Sequence, residues 1–361
     1  MSKKYKFGII GCGRISERHL KVISMLPNAA VGAVCDIDIN KAKKVARDCG
    51  APYYRDYIEM IKKEKPDIVS ILTPSGMHAR MALSCADYMK NIILEKPMAL
   101  KLSDADLLIE KCLRKNINLF VVKQNRYNLP IQKLKEAVVR GRFGKIVLAT
   151  VRVRWCRRQD YYDTDKWRGS WAMDGGVLTN QASHHIDLLQ WLVGPVESVV
   201  GKTATQLVNI EAEDTGLAIL KFTSGALGLV EATTATRPND LEGSISILGE
   251  KGSVEIGGFA VNEIKHWNFE EELPEDLEVK EKYSVNPPNV YGFGHLEFIR
   301  KVLESLDNKT EPPVDGMEGR KSLELINAIY ESAETGREVY LRFKPEFCKL
   351  GGNVPGGSSD I

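Results

Sequence analysis

A glycine-rich turn near the start of the chain constrains the fold more than any other feature. The apolar run Tyr5–Ile10 predicts a strand, and the amphipathic run Ile15–Met25 predicts a helix. Gly11 and Gly13 stand between them in the pattern G-x-G-x-x-S. Gly11 allows a tight turn, and Gly13 lets a pyrophosphate approach the backbone at the helix N-terminus. This arrangement predicts the first strand–helix unit of a dinucleotide-binding domain.

An acidic residue stands where such a domain binds ribose. Asp36 follows the second predicted strand, Val31–Cys35, and lies 20 residues after Ser16. A carboxylate at this place accepts hydrogen bonds from the adenosine ribose hydroxyls and repels a 2′-phosphate, so the cofactor is predicted to be NAD rather than NADP. Ser16 stands where Gly or Ala is usual, and it is still small enough for close helix–strand packing. The alternative is an ordinary glycine turn with a solvated Asp36.

The rest of the first 123 residues alternates between short apolar runs and amphipathic helices. Continuous apolar strands joined by helices are typical of a parallel sheet that is covered on both faces. We therefore predict a doubly wound α/β domain of the Rossmann type. Its further predicted strands are Ile68–Leu72, Asn91–Leu94 and Leu119–Val122, and its further helices are Asn40–Cys49, His78–Tyr88 and Asp104–Lys115, the last capped by Ser103 with Asp106 as capping-box partner.

The pattern changes after Gln124 to several β-like runs followed by helices. Such an order predicts an α+β domain with an open, mostly antiparallel sheet, one face of which is free for a substrate or another subunit. We predict a Rossmann domain over 1–123, a substrate and oligomerisation domain over 124–345, and a mobile tail over 346–361, with an irregular excursion at Phe269–Pro288. The expected elements are a helix from Pro130, strands Lys145–Arg154, Val196–Val208, Thr215–Phe222, Ala226–Thr234, Gly243–Leu248 and Ser253–Ile256, and helices Leu296–Leu306 and Glu318–Thr335.

Composition excludes several classes of protein. The 361 residues include 50 basic and 48 acidic side chains, so the net charge of +2 gives no electrostatic reason for a nucleic-acid or membrane-surface partner. No apolar stretch approaches the roughly 20 residues that cross a bilayer, and no signal peptide is recognisable. The seven cysteines are scattered and form no C-x-x-C pair, which favours free thiols in a reducing cytoplasm.

Two segments at the carboxyl edge of the predicted parallel sheet carry chemistry. Lys96, within Glu95-Lys96-Pro97, follows the strand Asn91–Leu94 and can be directed into a cleft where ligands of such sheets bind. Taken alone, its position favours a surface lysine. His78 follows Thr73-Pro74 at the same edge, and it either contacts the nicotinamide ribose or caps the next helix.

A dense polar stretch in the second domain supplies an acid–base candidate. In a continuous helix, Asn180, His184 and Asp187 would share one face. A histidine takes a hydroxyl proton near neutral pH, and Lys96 could stabilise the oxygen as charge develops, although the two roles could be exchanged. The pair His184-His185 does not favour a metal, because adjacent histidines point to different sides of a helix and no third ligand has a fitting spacing. We expect no metal.

Together these residues resemble the glucose–fructose oxidoreductase/inositol dehydrogenase (Gfo/Idh/MocA) family over essentially the whole chain. The resemblance implies NAD-dependent oxidation or reduction of sugar-ring hydroxyls, dimers or tetramers formed through the open sheet, and Lys96 and His184 as catalytic residues. Many members have aspartate four residues before this histidine, where this chain has Asn180, which favours a simple lysine–histidine site. The implied cofactor contacts are Gly11, Gly13, Arg14, Ile15, Asp36, Thr73, Pro74, His78, Glu95, Lys96, Gln124, Trp167 and Arg168.

Longer segments are similar to one subgroup of that family, the WlbA/WbpB type. It oxidises C3 of UDP-N-acetylglucosaminuronic acid, and in some members 2-oxoglutarate reoxidises the bound cofactor. The matching segments are 122–128, 154–157, 167–171, 174–185, 213–215 and 231–238. Their arginine, asparagine and glutamine side chains suit a diphosphate and a uronate carboxylate. The expected substrate contacts are Lys96, Arg154, Asn180, Gln181 and His184.

We therefore expect a cytoplasmic NAD-dependent dehydrogenase acting at C3 of a UDP-linked acetamido sugar, as a homodimer or homotetramer. One alternative keeps the family and changes the substrate to UDP-N-acetylglucosamine, another sugar or an inositol. A different class is a non-catalytic protein that senses NAD. The presence of both Lys96 and His184 argues against it, because a sensor has no use for an acid–base pair beside nicotinamide.

Overall fold

The computed structural model describes residues 3–284 and 294–341, which form two sheets with separate hydrophobic cores. Six strands form the first sheet: β1 (Tyr5–Ile10), β2 (Ala29–Cys35), β3 (Tyr53–Tyr54), β4 (Ile68–Ile71), β5 (Asn91–Leu94) and β6 (Asn118–Val121). All pair in parallel, in the order β3-β2-β1-β4-β5-β6. The predicted doubly wound sheet is confirmed. The chain order reverses between β1 and β4, and the loops that follow these strands flank the switch point where ligands of such sheets bind.

Five helices accompany this sheet: α1 (Arg14–Met25), α2 (Ile39–Cys49), α3 (Tyr57–Glu64), α4 (His78–Cys85) and α5 (Leu102–Lys115). Sequence patterns missed β3 and α3, because elements of two and eight residues are too short for a clear periodicity. The predicted capping box is wrong. Leu102 packs against the first core and already belongs to α5, so Ser103 lies inside the helix, and Asp106 pairs with Arg320 at 2.5 Å.

Eight strands form the second sheet: β7 (Ile146–Arg154), β8 (Val196–Ala204), β9 (Thr215–Phe222), β10 (Leu227–Thr233), β11 (Glu242–Gly249), β12 (Gly252–Gly257), β13 (Glu263–Phe269) and β14 (Val339–Tyr340). Their order is β13-β12-β11-β7-β10-β9-β8-β14, and only β7 and β10 pair in parallel among these strands. The mostly antiparallel sheet is thus confirmed. Strand β13 was not predicted, because its polar residues Lys265, His266 and Asn268 obscure its apolar ones.

The remaining helices are α6 (Leu129–Val139), α7 (Gln159–Asp163), α8 (Val177–Asn180), α9 (Ser183–Val193), α10 (Val279–Tyr283), α11 (Gly294–Asn308) and α12 (Gly316–Thr335), with 3₁₀ turns at Ser75–Met77, Gln124–Tyr127 and Pro274–Asp276. The excursion predicted as irregular therefore contains a turn and α10, because Asp276 accepts hydrogen bonds from Arg142 and Trp267. Its residues 285–288 and the predicted tail lie outside the described residues. No described helix is long and apolar enough to span a membrane.

The last two helices both pack into the first core, and α12 also joins it to the second. Helix α11 contributes Phe298 and Val302 to the first core, although it lies far along the chain in the second predicted domain. Helix α12 contributes Leu323 to the first core, and Ile326 and Ile329 to the second. This packing holds the carboxyl edge of the parallel sheet against α8 and α9. The domain boundaries given above stay predictions.

Candidate active site

The glycine turn has the geometry that a dinucleotide requires. Gly11 has a φ of +101°, and a Cβ there would lie 2.7 Å from the carbonyl oxygen of Leu72. Both the backbone conformation and the lack of space therefore exclude a side chain. Apart from its chain neighbours and its own helix backbone, a Cβ at Gly13 would meet no atom of residues 3–284 and 294–341 within 4 Å. The space above the N-terminus of α1 is therefore open, as a bound pyrophosphate needs. Arg14 and Ile15 form the first turn of α1, directly beside this space.

Asp36 is held beside that turn by the backbone. Its Oδ2 accepts a hydrogen bond from the Cys12 N–H at 2.8 Å, and its Oδ1 accepts one from the Asp38 N–H at 2.8 Å. Each oxygen keeps a further lone pair for a ribose hydroxyl. The residues present thus fit the adenosine half of NAD.

We expect Asp36→Ala to weaken NAD binding about 10- to 100-fold, because two charge-assisted hydrogen bonds to ribose are lost. Discrimination against NADP should fall at the same time, since the repelling carboxylate is removed. Fluorescence titration with NADH and NADPH measures both effects. Asp48→Ala, which removes an exposed carboxylate from α2, is the matched control. Unchanged NADH affinity in Asp36→Ala would contradict this assignment.

His78 connects two loops at the switch point. It is buried at the start of α4, with Nδ1 2.7 Å from the carbonyl oxygen of Pro97 and Nε2 2.7 Å from that of Thr73. Burial lowers the pKa of His78. Both ring nitrogens therefore face carbonyl oxygens of the loops that contain Thr73-Pro74 and Lys96-Pro97, and the neutral ring donates to one of them. Its contact with the cofactor stays a prediction.

Lys96 is positioned by a buried cluster beneath it. Glu95 Oε2 accepts a hydrogen bond from the Lys96 N–H at 3.1 Å, and Glu95 Oε1 lies 2.8 Å from His19 Nε2. Burial alone would raise the pKa of Glu95, but hydrogen bonds from His19 and His295 hold it well below its usual value. A charged carboxylate thus lies directly behind the lysine. These three side chains are also the one group of potential metal ligands among the residues with described positions, with Glu95 Oε1 2.8 Å from His19 Nε2 and 3.6 Å from His295 Nε2.

Lys96 reaches across to the second half of the molecule. Its Nζ donates a hydrogen bond to the carbonyl oxygen of Asn180 at 2.6 Å. In a continuous helix that oxygen would accept from the His184 N–H instead. The predicted single helix through Asn180 and His184 is therefore wrong: α8 ends at Asn180, and α9 begins at Ser183. Burial lowers the pKa of Lys96, and the charges of Glu95 and Asp174 partly oppose this.

His184 is buried against the side chain of Gln124. It is 9% exposed, and its Nε2 lies 2.9 Å from the side-chain amide nitrogen of Gln124. Burial, together with the positive charges of Lys96 and Lys123, holds the pKa of His184 well below its usual value. An amide N–H only donates, so Nε2 is the acceptor nitrogen of the ring. Gln124, predicted as a cofactor contact, is placed by the structure against the predicted base.

Asp187 anchors the helix that carries His184. It accepts hydrogen bonds from Arg126 Nε at 2.7 Å and Nη2 at 2.8 Å, and Lys123 Nζ lies 3.3 Å from its Oδ1. Burial would raise the pKa of Asp187, but these two cations lower it to about 2. Both cations flank Gln124, so the ion pairs fix α9 and the Gln124 turn relative to each other. Local sequence patterns missed Lys123 and Arg126.

A carboxylate that sequence reasoning missed lies behind Asn180. The Asn180 side-chain amide donates to Asp174 Oδ1, and Asp174 Oδ2 accepts from the Gly169 N–H at 2.9 Å. Burial raises the pKa of Asp174. The site therefore contains a buried carboxylate close to the position where many family members have one. The Asp174-Gly175-Gly176 segment was visible in the sequence, but its fold back onto Asn180 was not.

Glu213 fixes the start of α8. Its side chain accepts hydrogen bonds from the Leu178 N–H at 2.9 Å and from the Tyr330 hydroxyl at 2.8 Å. Burial raises the pKa of Glu213 to about 7. Gly176 is required here, because a Cβ would lie 2.2 Å from the Glu213 carbonyl oxygen. This explains structurally why Glu213 and Gly176 occur among the segments that resemble the subgroup.

Tyr161 connects the glycine turn to the second half of the molecule. Sequence reasoning did not identify it as a site residue. Its hydroxyl accepts hydrogen bonds from Arg168 Nη1 at 2.6 Å and from Gln181 Nε2 at 3.2 Å. Its ring centroid lies 6.0 Å from the Arg14 guanidinium carbon, and Arg168 also stacks over Trp167 at 4.6 Å. The structure thus brings together Arg14, Arg168 and Gln181, which were predicted separately.

Arg154 is not part of this group. Residues 149, 151 and 153 of β7 are buried in the second core, so the alternation of a strand directs Arg154 to the open face of the sheet. Its guanidinium pairs there with Glu231 at 2.5 Å and Glu242 at 2.8 Å. A predicted substrate contact is therefore placed away from His184, with its charge balanced by two carboxylates.

The comparisons with known proteins agree with this geometry. Residues 5–123 match the model of the Gfo/Idh/MocA oxidoreductase family's NAD-binding Rossmann fold, and residues 135–341 match that of its C-terminal alpha/beta domain. The WlbA dehydrogenase of Bordetella pertussis, solved with NADH and UDP-GlcNAcA, is 42% identical, with a TM-score of 0.91 and coverage of 95% of this chain and 99% of that one.

Two further relatives show the range of similarity. The WlbA dehydrogenase of Chromobacterium violaceum, also solved with NADH and UDP-GlcNAcA, is 43% identical, with a TM-score of 0.89 and coverage of 96% and 98%. Myo-inositol 2-dehydrogenase of Thermotoga maritima is 26% identical over 344 residues, which cover 93% of this chain and 98% of the relative.

Proposed function

Because the chain belongs to the Gfo/Idh/MocA oxidoreductase family, we propose that it oxidises the C3 hydroxyl of UDP-N-acetylglucosaminuronic acid to a ketone. The family match makes it an NAD-dependent sugar or polyol dehydrogenase. The observation that carries the proposed chemistry is the convergence of Lys96 and neutral His184 at the carboxyl edge of the parallel sheet. The choice of substrate is supported by identity above 40% to two dehydrogenases solved with UDP-GlcNAcA, against 26% to an inositol dehydrogenase.

The roles of the residues follow from their charge and position. NAD, when bound, supplies the acceptor for the hydride from C3. Gly11, Gly13 and Asp36 fit its adenosine and pyrophosphate. His184 takes the hydroxyl proton once the substrate hydroxyl replaces the Gln124 amide at the single lone pair of Nε2, while the Lys96 ammonium donates a hydrogen bond to the same oxygen as negative charge develops. Asp187 acts through α9, which it holds against the Gln124 turn.

The test is a comparison of three substrates with the purified protein and NAD. We expect UDP-N-acetylglucosaminuronic acid to yield NADH and a product lighter by two hydrogen atoms. UDP-N-acetylglucosamine and myo-inositol should react much more slowly. Faster oxidation of myo-inositol would reject the nucleotide-sugar assignment, and faster oxidation of UDP-N-acetylglucosamine would reject the requirement for the C6 carboxylate.

We further propose 2-oxoglutarate as a second substrate that reoxidises the bound cofactor. The support is the similarity to the subgroup in which this occurs. Product should then exceed one equivalent per subunit without added NAD only when 2-oxoglutarate is present, and 2-hydroxyglutarate should accumulate. Equal product with and without 2-oxoglutarate would reject this part of the proposal.

We also propose that two copies of the chain associate through the open face of the second sheet. Val200, Ile219 and Leu229 are directly opposite one another on β8, β9 and β10, and their exposures are 42%, 59% and 36%. Leu217 and Leu227 extend this apolar row. A contiguous exposed apolar surface on a sheet is a typical subunit interface.

Ile219→Glu should convert the wild-type oligomer to monomers, because it places a charge at the centre of that face. Size-exclusion chromatography with light scattering measures the mass. The control is Leu113→Glu, which changes an exposed leucine on α5 and should leave the mass unchanged. A monomeric wild-type protein, or an Ile219→Glu oligomer of unchanged mass, would refute the interface.

A further inference from the structure

Three arginines meet at one end of the second sheet, beyond β7 and β10. The Arg157 N–H donates to the carbonyl oxygen of Thr234 at 2.9 Å, and the Thr236 N–H donates to that of Trp155 at 3.2 Å. Arg237 Nη2 then donates to the carbonyl oxygen of Arg157 at 3.3 Å. This backbone pairing places the arginine cluster, defined as Arg157, Arg158 and Arg237, on adjacent segments.

The cluster carries more positive charge than its surroundings balance. Arg157 pairs with Asp240 at 2.9 Å. Arg158 and Arg237 are exposed, and neither has a carboxylate within 4 Å among residues 3–284 and 294–341. Arg154, by contrast, has two carboxylate partners on the other face of the sheet. The Arg237 guanidinium donates to three backbone carbonyl oxygens, which do not neutralise its charge, and guanidinium groups match phosphate oxygens in pairs.

The arginine cluster is continuous with the candidate active site. The guanidinium carbon of Arg157 lies 5.6 Å from the centre of the Tyr161 ring. The Tyr161 hydroxyl accepts from Gln181, and the neighbouring Asn180 carbonyl oxygen accepts from Lys96. One chain of contacts thus leads from the predicted catalytic lysine to the cluster. An extended substrate whose sugar lies at Lys96 would lie along it.

We propose that Arg157, Arg158 and Arg237 bind the diphosphate of a nucleotide-linked substrate; this inference rests on the function proposed above. The other diphosphate in the reaction belongs to the cofactor, for which the open space over Gly13 and the N-terminus of α1 already provides a site. Arg14 lies on the cofactor side of Tyr161, at 6.0 Å from its ring. Two diphosphates therefore have two separate sites.

The experiment measures UDP and NADH binding to Arg158→Gln, Arg237→Gln and the double variant. UDP is the probe, and its binding affinity is measured by isothermal titration calorimetry at several salt concentrations. Each substitution should weaken UDP binding about tenfold or more and reduce its salt dependence, because a charge-assisted contact is lost. NADH affinity should stay unchanged, and KM for the UDP-sugar should rise much more than kcat falls. Arg114→Gln removes the same charge from an exposed position on α5 and is the matched control.

The outcomes separate the inference from the proposed function. If the variants bind UDP as tightly as Arg114→Gln does, and the enzyme oxidises the UDP-sugar, the arginine cluster alone is overturned. Loss of NADH affinity instead of UDP affinity overturns it as well, because the cluster would then serve the cofactor. A wild-type protein that ignores UDP and oxidises myo-inositol overturns both. If Arg237→Gln does not fold, Arg158→Gln decides, since Arg158 makes only a 3.5 Å contact with the Pro238 carbonyl oxygen among the described side-chain hydrogen bonds.

Discussion

Lys96→Met should lower turnover by about a thousandfold or more, because the ammonium that stabilises the developing alkoxide is lost. Methionine nearly preserves the shape of the lysine stem, so the loop between β5 and α5 should keep its fold. The NADH site at Gly11, Gly13 and Asp36 lies on other loops, and its affinity should change little. Steady-state kinetics and NADH fluorescence measure the two effects on the same preparation.

The control for this substitution is Lys101→Met, which removes an exposed lysine five residues further on. It should retain wild-type kinetics. Turnover that survives in Lys96→Met would show that the lysine only holds Asn180 in place. Loss of NADH binding together with turnover would show that Lys96 acts mainly through the cofactor. Either result would contradict the role assigned here.

His184→Gln should lower kcat by about 100- to 10,000-fold, the usual contribution of a general base. The pH dependence of wild-type kcat/KM provides a second test of His184 as the base. Burial and two nearby cations lower the pKa of His184, so the ring stays a proton acceptor below its usual pKa of about 6.5. We therefore expect kcat/KM to stay level from neutral pH to below that value, and to fall only as His184 becomes protonated.

The neighbouring histidine provides the comparison. His185 is buried, and its ring packs edge-on against Trp155 with centroids 5.8 Å apart. His185→Gln should lower thermal stability and leave unchanged the acid limb of the pH profile, which is the fall of kcat/KM at low pH. A His184→Gln enzyme with the wild-type acid limb, or a larger kcat loss in His185→Gln at equal stability, would assign the base elsewhere.

The parallel sheet could be predicted because its signals are local. Each strand of the first sheet except β3 is a continuous apolar run, and the glycine turn constrains both its conformation and what binds there. Lys96 was found in the same way, since its place at a strand end follows from order along the chain. Local patterns therefore predicted most of the first domain's fold and the edge at which its ligands bind.

The rest of the site depends on contacts between distant residues. His295 lies 200 positions after Glu95, yet its Nε2 lies 3.6 Å from the Glu95 carboxylate beneath Lys96. Asn180 was predicted to lie on the helix of His184, but its hydrogen bond to Lys96 separates the two helical segments. Asp174 and Tyr161 likewise join the site through the folding of loops. No periodicity in the sequence reports such contacts.

Deuterium placed at C3 of UDP-N-acetylglucosaminuronic acid tests the central claim most directly. The purified enzyme is incubated with this substrate and NAD, and the reduced cofactor and the sugar product are analysed by mass spectrometry. If Lys96 and His184 act on the C3 hydroxyl, the reduced cofactor gains the deuterium and the keto product loses it. Deuterium that remains in the oxidised sugar while the cofactor gains ordinary hydrogen would contradict the account.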